Sequence, residues 1–199
     1  MCDRIKNGNI WLYAVFHEKS SEMSVLDKYL DLLPPERREK ALRYHHPIDR
    51  HHCILSYLLL RYALNSRFGL HNPRIAVTER GKPFLPDYPE VYFNLSHCPK
   101  GCVVGVSDVP IGVDVQDVRA FSPRLVQFCC SPEEKARIAQ ATQPEAEFTK
   151  IWAMKESYLK CKGCGIIRDL PSVDTTQLET QIAVYRQHDC YIAVACEPR

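Results

Sequence analysis

The stretch FTKIWAMKESYLK, residues 148–160, predicts the helix around which the rest of the chain is organised. It contains no glycine or proline, acidic residues precede it at Glu145 and Glu147, and Gly163 follows it as a stop signal. Because residues four apart share one face of a helix, one face should carry two aromatic and two ionisable side chains. These are Phe148, Trp152, Glu156 and Lys160. A half-buried Glu156 needs a partner, which is either Lys160 alone or a group elsewhere in the chain.

The stretch IGVDVQD, residues 111–117, supplies a candidate for that second group. Its β-branched residues predict a strand, whose alternation places Asp114 and Gln116 on one face and valines on the other. A carboxylate and an amide oxygen on one face suit a hard cation such as Mg²⁺. The same alternation is typical of a solvated strand, so these residues alone leave both interpretations open.

Length and charge limit the class of protein. The 199 residues suffice for one domain or two small ones, and a net charge of +2 is too small to indicate nucleic-acid binding. Residues 1–107 hold 15 lysines and arginines against 11 acidic residues, whereas residues 108–199 hold 11 against 13. A basic half beside an acidic half suits an anionic ligand that meets a bound cation.

The apolar pattern and the cysteines bear on the cellular compartment of the protein. The chain has no signal-type apolar stretch at its N-terminus and no apolar run near the ~20 residues of a membrane helix, so we expect a cytoplasmic protein without a membrane partner. Its ten cysteines are then expected to be mostly reduced, small hydrophobic side chains. Zinc binding is a weaker alternative, because the pair Cys161 and Cys164 has the usual spacing but Cys98 and Cys102 do not.

Both halves of the chain are predicted to contain a strand, a helix and further strands, which gives an α+β fold. In the first half, a helix is expected at 25–33 and another at 36–44, and Asp49 is expected to cap a longer helix that ends near residue 68. In the second half, a capping box that starts at Ser131 begins a short helix. Strands are predicted at 10–16, 75–78, 91–95, 102–107, 111–117, 182–185 and 191–195.

Four motifs occur in a fixed order along this chain. They are GKP at 81–83, FNLSH at 93–97, IGVDV at 111–115 and WAMKESYLK at 152–160. Together they resemble the surfactin-synthetase-type 4′-phosphopantetheinyl transferases, and the resemblance covers about residues 10 to 196. Any one motif alone would mean little, but the four in order form a specific signal.

The resemblance implies a fold of two similar α/β halves related by pseudo-twofold symmetry, with the active site in the cleft between them. Residues 1–107 would bind the phosphates of coenzyme A, and residues 108–199 would bind the metal and perform catalysis. It also implies a reaction, in which 4′-phosphopantetheine moves from coenzyme A to a serine of an acyl or peptidyl carrier protein and 3′,5′-ADP is released. The protein is expected to act as a monomer.

The resemblance assigns a role to each candidate residue by its position in the motifs. Asp114, Gln116 and Glu156 would hold Mg²⁺, and Glu156 would also accept the proton of the carrier serine. Lys160 would neutralise or protonate the leaving phosphate, and it would contact coenzyme A. The other contacts to coenzyme A would come from Arg37, Lys40, Lys82, Ser96 and His97. Phosphoryl transfer needs such charge neutralisation and alignment of the nucleophile.

Gln116 departs from the family pattern, because many members carry a glutamate there. An amide oxygen coordinates Mg²⁺ without adding negative charge, so we expect an active enzyme with weaker metal affinity. Two alternatives stay open at this point. One is a non-catalytic protein that binds a carrier or coenzyme A, and the other is a metal-dependent phosphohydrolase in which water replaces the carrier serine.

Overall fold

A computed structural model describes residues 2–3, 9–17, 20–165, 170–178 and 181–197. The strands are β1 (Cys2–Asp3), β2 (Ile10–Phe16), β3 (Ala76–Val77), β4 (Pro83–Phe84), β5 (Tyr92–Cys98), β6 (Gly101–Ser107), β7 (Ile111–Asp117), β8 (Ile182–Gln187) and β9 (Cys190–Cys196). The α-helices are α1 (Pro35–Leu42), α2 (Pro47–Phe68), α3 (Pro123–Cys129), α4 (Pro132–Gln140) and α5 (Pro144–Lys162). Within these described ranges, three segments form 3-10 helices, namely Ser20–Leu32, Leu170–Ser172 and Thr175–Gln177.

The two halves share one topology. In the first half the main strands lie in the order β2-β6-β5, with β1 added at the edge beside β2. In the second half they lie in the order β7-β9-β8, and all neighbouring strands in both sheets are antiparallel. In each half the first strand pairs with the last, and a long helix, α2 or α5, follows the first strand. This arrangement confirms the predicted α+β fold of two similar halves.

The long helices begin and end in the same way. Each has a proline in its first turn, where no intrahelical hydrogen bond is lost, and each stops at a glycine in the left-handed conformation. Gly163, predicted as the stop signal of α5, has φ 67° and ends that helix. The predicted cap at Asp49 was wrong, because Pro47 starts α2 earlier and His46 is its N-cap. The capping box predicted at Ser131 is present at the start of α4.

Two further segments differ from the sequence prediction. Residues 25–33 were expected to form an amphipathic α-helix, but the chain there belongs to the 3-10 helix Ser20–Leu32. Helix α3 was not expected, although Ser122 caps it and Pro123 occupies its first turn. Among the described residues, none of the helices is both long and apolar enough to cross a membrane.

A buried cluster joins the two sheets. It combines side chains of β2, β5 and β6 with side chains of β7 and β9, including Val103 and Val113. Gly105 of β6 lies so close to the second half that a Cβ there would meet the methyl groups of Ile111 and Val113 at 2.8 Å. Asn94 of β5 accepts a hydrogen bond from the backbone N–H of Val113 at 2.9 Å. The end of β5 is therefore fixed against β7.

Gly112 allows α5 to lie directly on β7. A Cβ at this position would meet the carbonyl oxygen of Ser157 at 2.1 Å and the backbone nitrogen of Cys161 at 2.3 Å. Any side chain here would push the helix away from the strand. This close approach places Glu156 and Lys160 of α5 beside Asp114 of β7.

Candidate active site

Three of the predicted site residues meet at the junction of β5, β7 and α5. The Asp114 carboxylate is buried, and its Oδ1 accepts a hydrogen bond from Ser96 Oγ at 2.7 Å. The Lys160 ammonium lies 2.5 Å from the same oxygen and 3.0 Å from Ser96 Oγ. Strand β5 of the first half thus meets β7 and α5, the elements of the second half that carry Asp114 and Glu156.

Gln116 completes the contacts of Asp114. Its Nε2 donates to Asp114 Oδ2 at 2.8 Å, as expected for two side chains on one face of β7. An ionised carboxylate only accepts hydrogen bonds, so the amide must direct its nitrogen rather than its oxygen toward Asp114. In this arrangement Gln116 satisfies the buried carboxylate and adds no charge to the site.

Glu156 has a different environment from Asp114. It is half-buried, and within the described part of the chain no hydrogen-bond partner contacts its carboxylate. Burial raises its pKa above the ordinary value, the negative charge of Asp114 raises it further, and Lys160 opposes both effects. A carboxyl group with a raised pKa and a free face is suited to accept a proton.

A cavity of about 1080 Å³ opens next to this carboxylate site. It lies between α1, α2, the β3–β4 turn and the C-terminal end of α5, and Asn94 and Lys160 mark its inner side. Among the described lining residues, seven are basic and one, Glu36, is acidic. The predicted coenzyme A contacts at Arg37, Lys40 and Lys82 all line it. Such a cavity attracts a polyanion, and Lys160 links it to Asp114.

Arg37 and Lys82, two of the predicted coenzyme A contacts, also form hydrogen bonds within the protein. Arg37 donates to the carbonyl oxygen of Cys53 at 3.2 Å and to Ser56 Oγ at 3.3 Å, and it lies over the ring of Tyr57. Lys82 donates to the carbonyl oxygen of Cys161 at 2.5 Å, at the end of α5, and burial lowers its pKa. A lysine has three donors, so Lys82 keeps further N–H groups for a ligand.

His97 belongs to a row of three imidazoles. Its ring centroid lies 5.1 Å from that of His52, and His52 Nε2 lies 3.3 Å from His17 Nε2. Burial lowers the pKa of His52 to about 4, with smaller contributions from its histidine neighbours. The His97 side chain is exposed, but burial of part of its ring lowers its pKa as well, and the positive charge of Lys160 adds to this effect. Both shifts favour the neutral form of the imidazole.

This row was not recognisable in the sequence. The histidines that stand out there are His45, His46, His51 and His52, which follow one another closely along the chain. The folded protein instead brings together His17, His52 and His97, which come from three separate segments. Only their distance in space makes them a group, and no local spacing could have indicated it.

A buried ion pair below the site was also missed. Lys155 Nζ lies 2.8 Å from Glu134 Oε2, and both side chains are almost completely inaccessible to solvent. The pair ties α5 to α4, and Lys155 also donates to the carbonyl oxygens of Leu170 and Val173. This contact fixes the part of α5 that immediately precedes Glu156.

The donor set at the site is suited to a hard cation. The Asp114 carboxylate is close enough to Glu156 for its charge to raise the pKa of Glu156, and Gln116 offers an amide group beside Asp114. Within the described residues, no three histidine, cysteine or acidic side chains come together as a metal site. Mg²⁺ commonly binds through one or two carboxylates together with phosphate oxygens and water, so two carboxylates are sufficient.

Comparison with known proteins adds independent information. Residues 19–108 match the model of the N-terminal region of 4′-phosphopantetheinyl transferases, and residues 110–195 match the model of the 4′-phosphopantetheinyl transferase superfamily. A 4′-phosphopantetheinyl transferase of Bacillus subtilis is 31% identical, over 81% of this chain and 74% of that protein. The enzyme psf-1 of Bacillus pumilus is 31% identical over 81% and 73%. AcpT of Escherichia coli is 30% identical over 83% of each chain.

Proposed function

Because the chain belongs to the 4′-phosphopantetheinyl transferase superfamily, we propose that it transfers the 4′-phosphopantetheine group of coenzyme A to a serine of an acyl or peptidyl carrier protein. The products are the holo-carrier and 3′,5′-ADP. The observation that supports this most strongly is that a basic cavity meets a carboxylate site, with Lys160 belonging to both. A ligand rich in phosphate fits the cavity, and phosphoryl transfer fits the carboxylate site.

Coenzyme A would enter the cavity with its phosphates among the basic side chains of the first half. Arg37 and Lys40 would contact the 3′-phosphate, and Lys82 another phosphate oxygen. Ser96 and His97 would contact the diphosphate at the inner side, next to Lys160. The support for this placement is the excess of basic side chains in the cavity and the neutral imidazole of His97, which is able to donate one hydrogen bond.

Asp114, Glu156 and Gln116 would hold Mg²⁺, which supplies neutralisation of the diphosphate charge when it is bound. The carrier serine oxygen forms a bond to the phosphorus of phosphopantetheine, and the bond between that phosphorus and the 3′,5′-ADP oxygen breaks. Glu156 takes the serine proton, directly or through water, and its raised pKa makes it a stronger base. Lys160 neutralises the charge that develops on the leaving phosphate.

The two halves of the chain would have different roles. Residues 1–107 would bind the phosphates of coenzyme A, and residues 108–199 would hold the metal and the catalytic groups. Both sides of the cleft come from one chain, which supports action as a monomer. The expected partners are coenzyme A and a carrier protein in the cytoplasm, without nucleic acid or membrane.

The test is to mix the protein with coenzyme A, Mg²⁺ and an unmodified carrier protein, and to measure the intact mass of the carrier. We expect the carrier to gain one phosphopantetheine group, and we expect Glu156→Ala to abolish this gain. Glu145→Ala is the matched control, because Glu145 is an exposed acidic residue in the first turn of the same helix. No mass gain with carriers of fatty-acid, peptide and polyketide type would overturn the proposed function.

A further inference from the structure

We infer that Lys160 holds the metal-binding carboxylate in a closed, charge-balanced state, and that coenzyme A opens this state by drawing the ammonium away. The divalent cation and coenzyme A would then bind cooperatively, each increasing the affinity for the other. The inference rests on the proposed function, and it concerns how this chain controls access to its own metal site.

Protein groups already occupy Asp114 in the free protein. Its Oδ1 accepts from Ser96 and Lys160, and its Oδ2 accepts from Gln116. The side chain is only 2% exposed, so solvent offers little alternative. A cation that binds to Asp114 must therefore replace at least one of these donors.

The charge around Asp114 also disfavours a dication in the free protein. The Lys160 ammonium compensates the Asp114 carboxylate at 2.5 Å, and Gln116 adds a hydrogen bond without adding negative charge. A dication that approaches Asp114 in the free protein meets this ammonium and is repelled by it. Glu156 alone then provides the remaining negative charge. The free protein should for this reason bind a divalent cation weakly.

Lys160 also has a second environment within reach. Its side chain is 28% exposed and lines the basic cavity, whereas Asp114 lies behind it. A diphosphate in the cavity offers several negative oxygens to the ammonium, which is a flexible point charge. Once Lys160 bonds to phosphate, the Asp114 carboxylate loses its compensating charge and gains affinity for the dication. Because binding free energies are linked, the dication must improve coenzyme A binding by the same factor.

The experiment measures binding of Mn²⁺, a spectroscopically visible dication, by the electron paramagnetic resonance signal of free Mn²⁺. We expect wild-type protein to bind Mn²⁺ about tenfold more tightly with saturating coenzyme A than without it, which corresponds to about 1.4 kcal/mol. We expect Lys160→Met to bind Mn²⁺ about tenfold more tightly than wild type in the absence of coenzyme A. The difference that coenzyme A makes should be smaller than in wild type, because only direct contact between Mn²⁺ and the diphosphate is left to couple the two ligands.

Lys162→Met is the matched control. Lys162 lies two residues further along α5 and pairs with Glu197 at 2.9 Å on the surface, so its loss removes the same charge without touching Asp114. We expect this variant to bind Mn²⁺ like wild type. If both variants gained affinity equally, the effect would be general electrostatics and the inference would be wrong. If Lys160→Met gained none, the inference would also be wrong.

Failure of the inference is distinguishable from failure of the proposed function. If calorimetry detected no coenzyme A binding to wild-type protein, the proposed function and the coupling would fall together. If coenzyme A bound and was transferred while Lys160→Met left Mn²⁺ affinity unchanged, only the inference would fall. Circular dichroism confirms that the variants are folded, and Lys160→Gln, which keeps a donor without charge, repeats the test if Lys160→Met does not fold.

Discussion

Two lysines of α5, only five residues apart, form ion pairs with very different surroundings. Lys155 and its partner Glu134 are 1% and 0% exposed, and protein groups satisfy both side chains. Glu134 also accepts hydrogen bonds from the backbone of Ser131 and from the backbone and hydroxyl of Thr175. Lys160 pairs with an equally buried carboxylate, but its own side chain is 28% exposed and faces the cavity.

The difference indicates that the surroundings of an ion pair determine whether the pair stabilises the fold or takes part in binding. The Lys155–Glu134 pair has no access to a ligand, and it joins α4, α5 and residues 170–175. The Lys160–Asp114 pair lies between the protein interior and the basic cavity. A phosphate is therefore able to replace Asp114 as the partner of Lys160, and a cation is able to replace Lys160 as the partner of Asp114. We therefore expect the first pair to determine stability and the second to determine binding and chemistry.

The largest effect is expected from Lys155→Met. Removing the lysine leaves Glu134 buried without a compensating charge, which should lower the free energy of unfolding by about 3 to 5 kcal/mol. Urea denaturation followed by circular dichroism measures this loss. Lys162→Met, at an exposed pair on the same helix, should change the free energy of unfolding by no more than about 0.5 kcal/mol. A loss below about 1 kcal/mol for Lys155→Met would contradict a stabilising role of the buried pair.

Lys160→Met should lower the rate of transfer strongly and the free energy of unfolding only slightly. We expect the rate of phosphopantetheine transfer to fall about 100-fold, because the leaving phosphate loses a preorganised cation. The free energy of unfolding should fall by less than half the amount seen for Lys155→Met, because Lys160 is 28% exposed and water is able to enter the space that it leaves beside Asp114, whereas Lys155 is 1% exposed. Single-turnover kinetics and urea denaturation test both parts. A transfer rate within threefold of wild type would show that the exposed pair has no catalytic role.

His52 of α2 differs from both lysines, because it is buried beside other histidines. Its pKa is about 4 in the folded protein, whereas an ordinary histidine has 6.5. As the pH falls below 6.5, His52 therefore binds a proton in the unfolded chain, whereas in the folded protein it binds a proton only near pH 4. Stability is complete above pH 6.5, and it should fall by about 2 kcal/mol between pH 7 and pH 5.

Urea denaturation of wild type and His52→Gln at pH 7 and pH 5 measures this loss. We expect the variant, whose residue 52 does not titrate, to lose clearly less stability than wild type over the same range. An equal loss in both proteins would assign the pH dependence to other groups. His71, an exposed histidine, is the matched control, and His71→Gln should retain the wild-type dependence.

The smallest effect is expected from Gln116→Glu. A carboxylate at this position cannot donate to Asp114, and it adds a negative charge beside it. We expect Mn²⁺ affinity to rise about tenfold, with activity rising only modestly at saturating metal. Titration of the free Mn²⁺ signal measures the affinity. If the substitution instead raised activity from near zero, the present protein would be a degenerate member of its family.

Local signals in the sequence predicted much of the fold. The helix at 148–160 and the strand at 111–117 were evident because each combines an uninterrupted pattern with clear ends, and Gly163 and Ser131 act as the terminal signals that their residue types favour. Asp49 was misassigned because a good capping residue stood near the true start, which Pro47 determines. Local patterns of this kind therefore predict elements better than they predict boundaries.

The contacts of the site were harder to predict because they depend on distances in space. The motifs placed Lys160 one turn beyond Glu156, but its ion pair with Asp114 comes from the close approach that Gly112 permits. Lys155 was part of the quoted helix, yet nothing near it in sequence indicated a buried partner 21 positions earlier at Glu134. The roles of the site residues themselves stay predictions until they are tested by substitution.

The most direct measurement is the release of 3′,5′-ADP from coenzyme A in the presence and absence of an unmodified carrier protein. Transfer predicts one 3′,5′-ADP for every carrier that gains phosphopantetheine, and negligible release when the carrier is omitted or when its acceptor serine is changed to alanine. Equal release without a carrier would contradict the account and indicate a phosphohydrolase. No release under either condition, with coenzyme A bound, would indicate a binding protein instead.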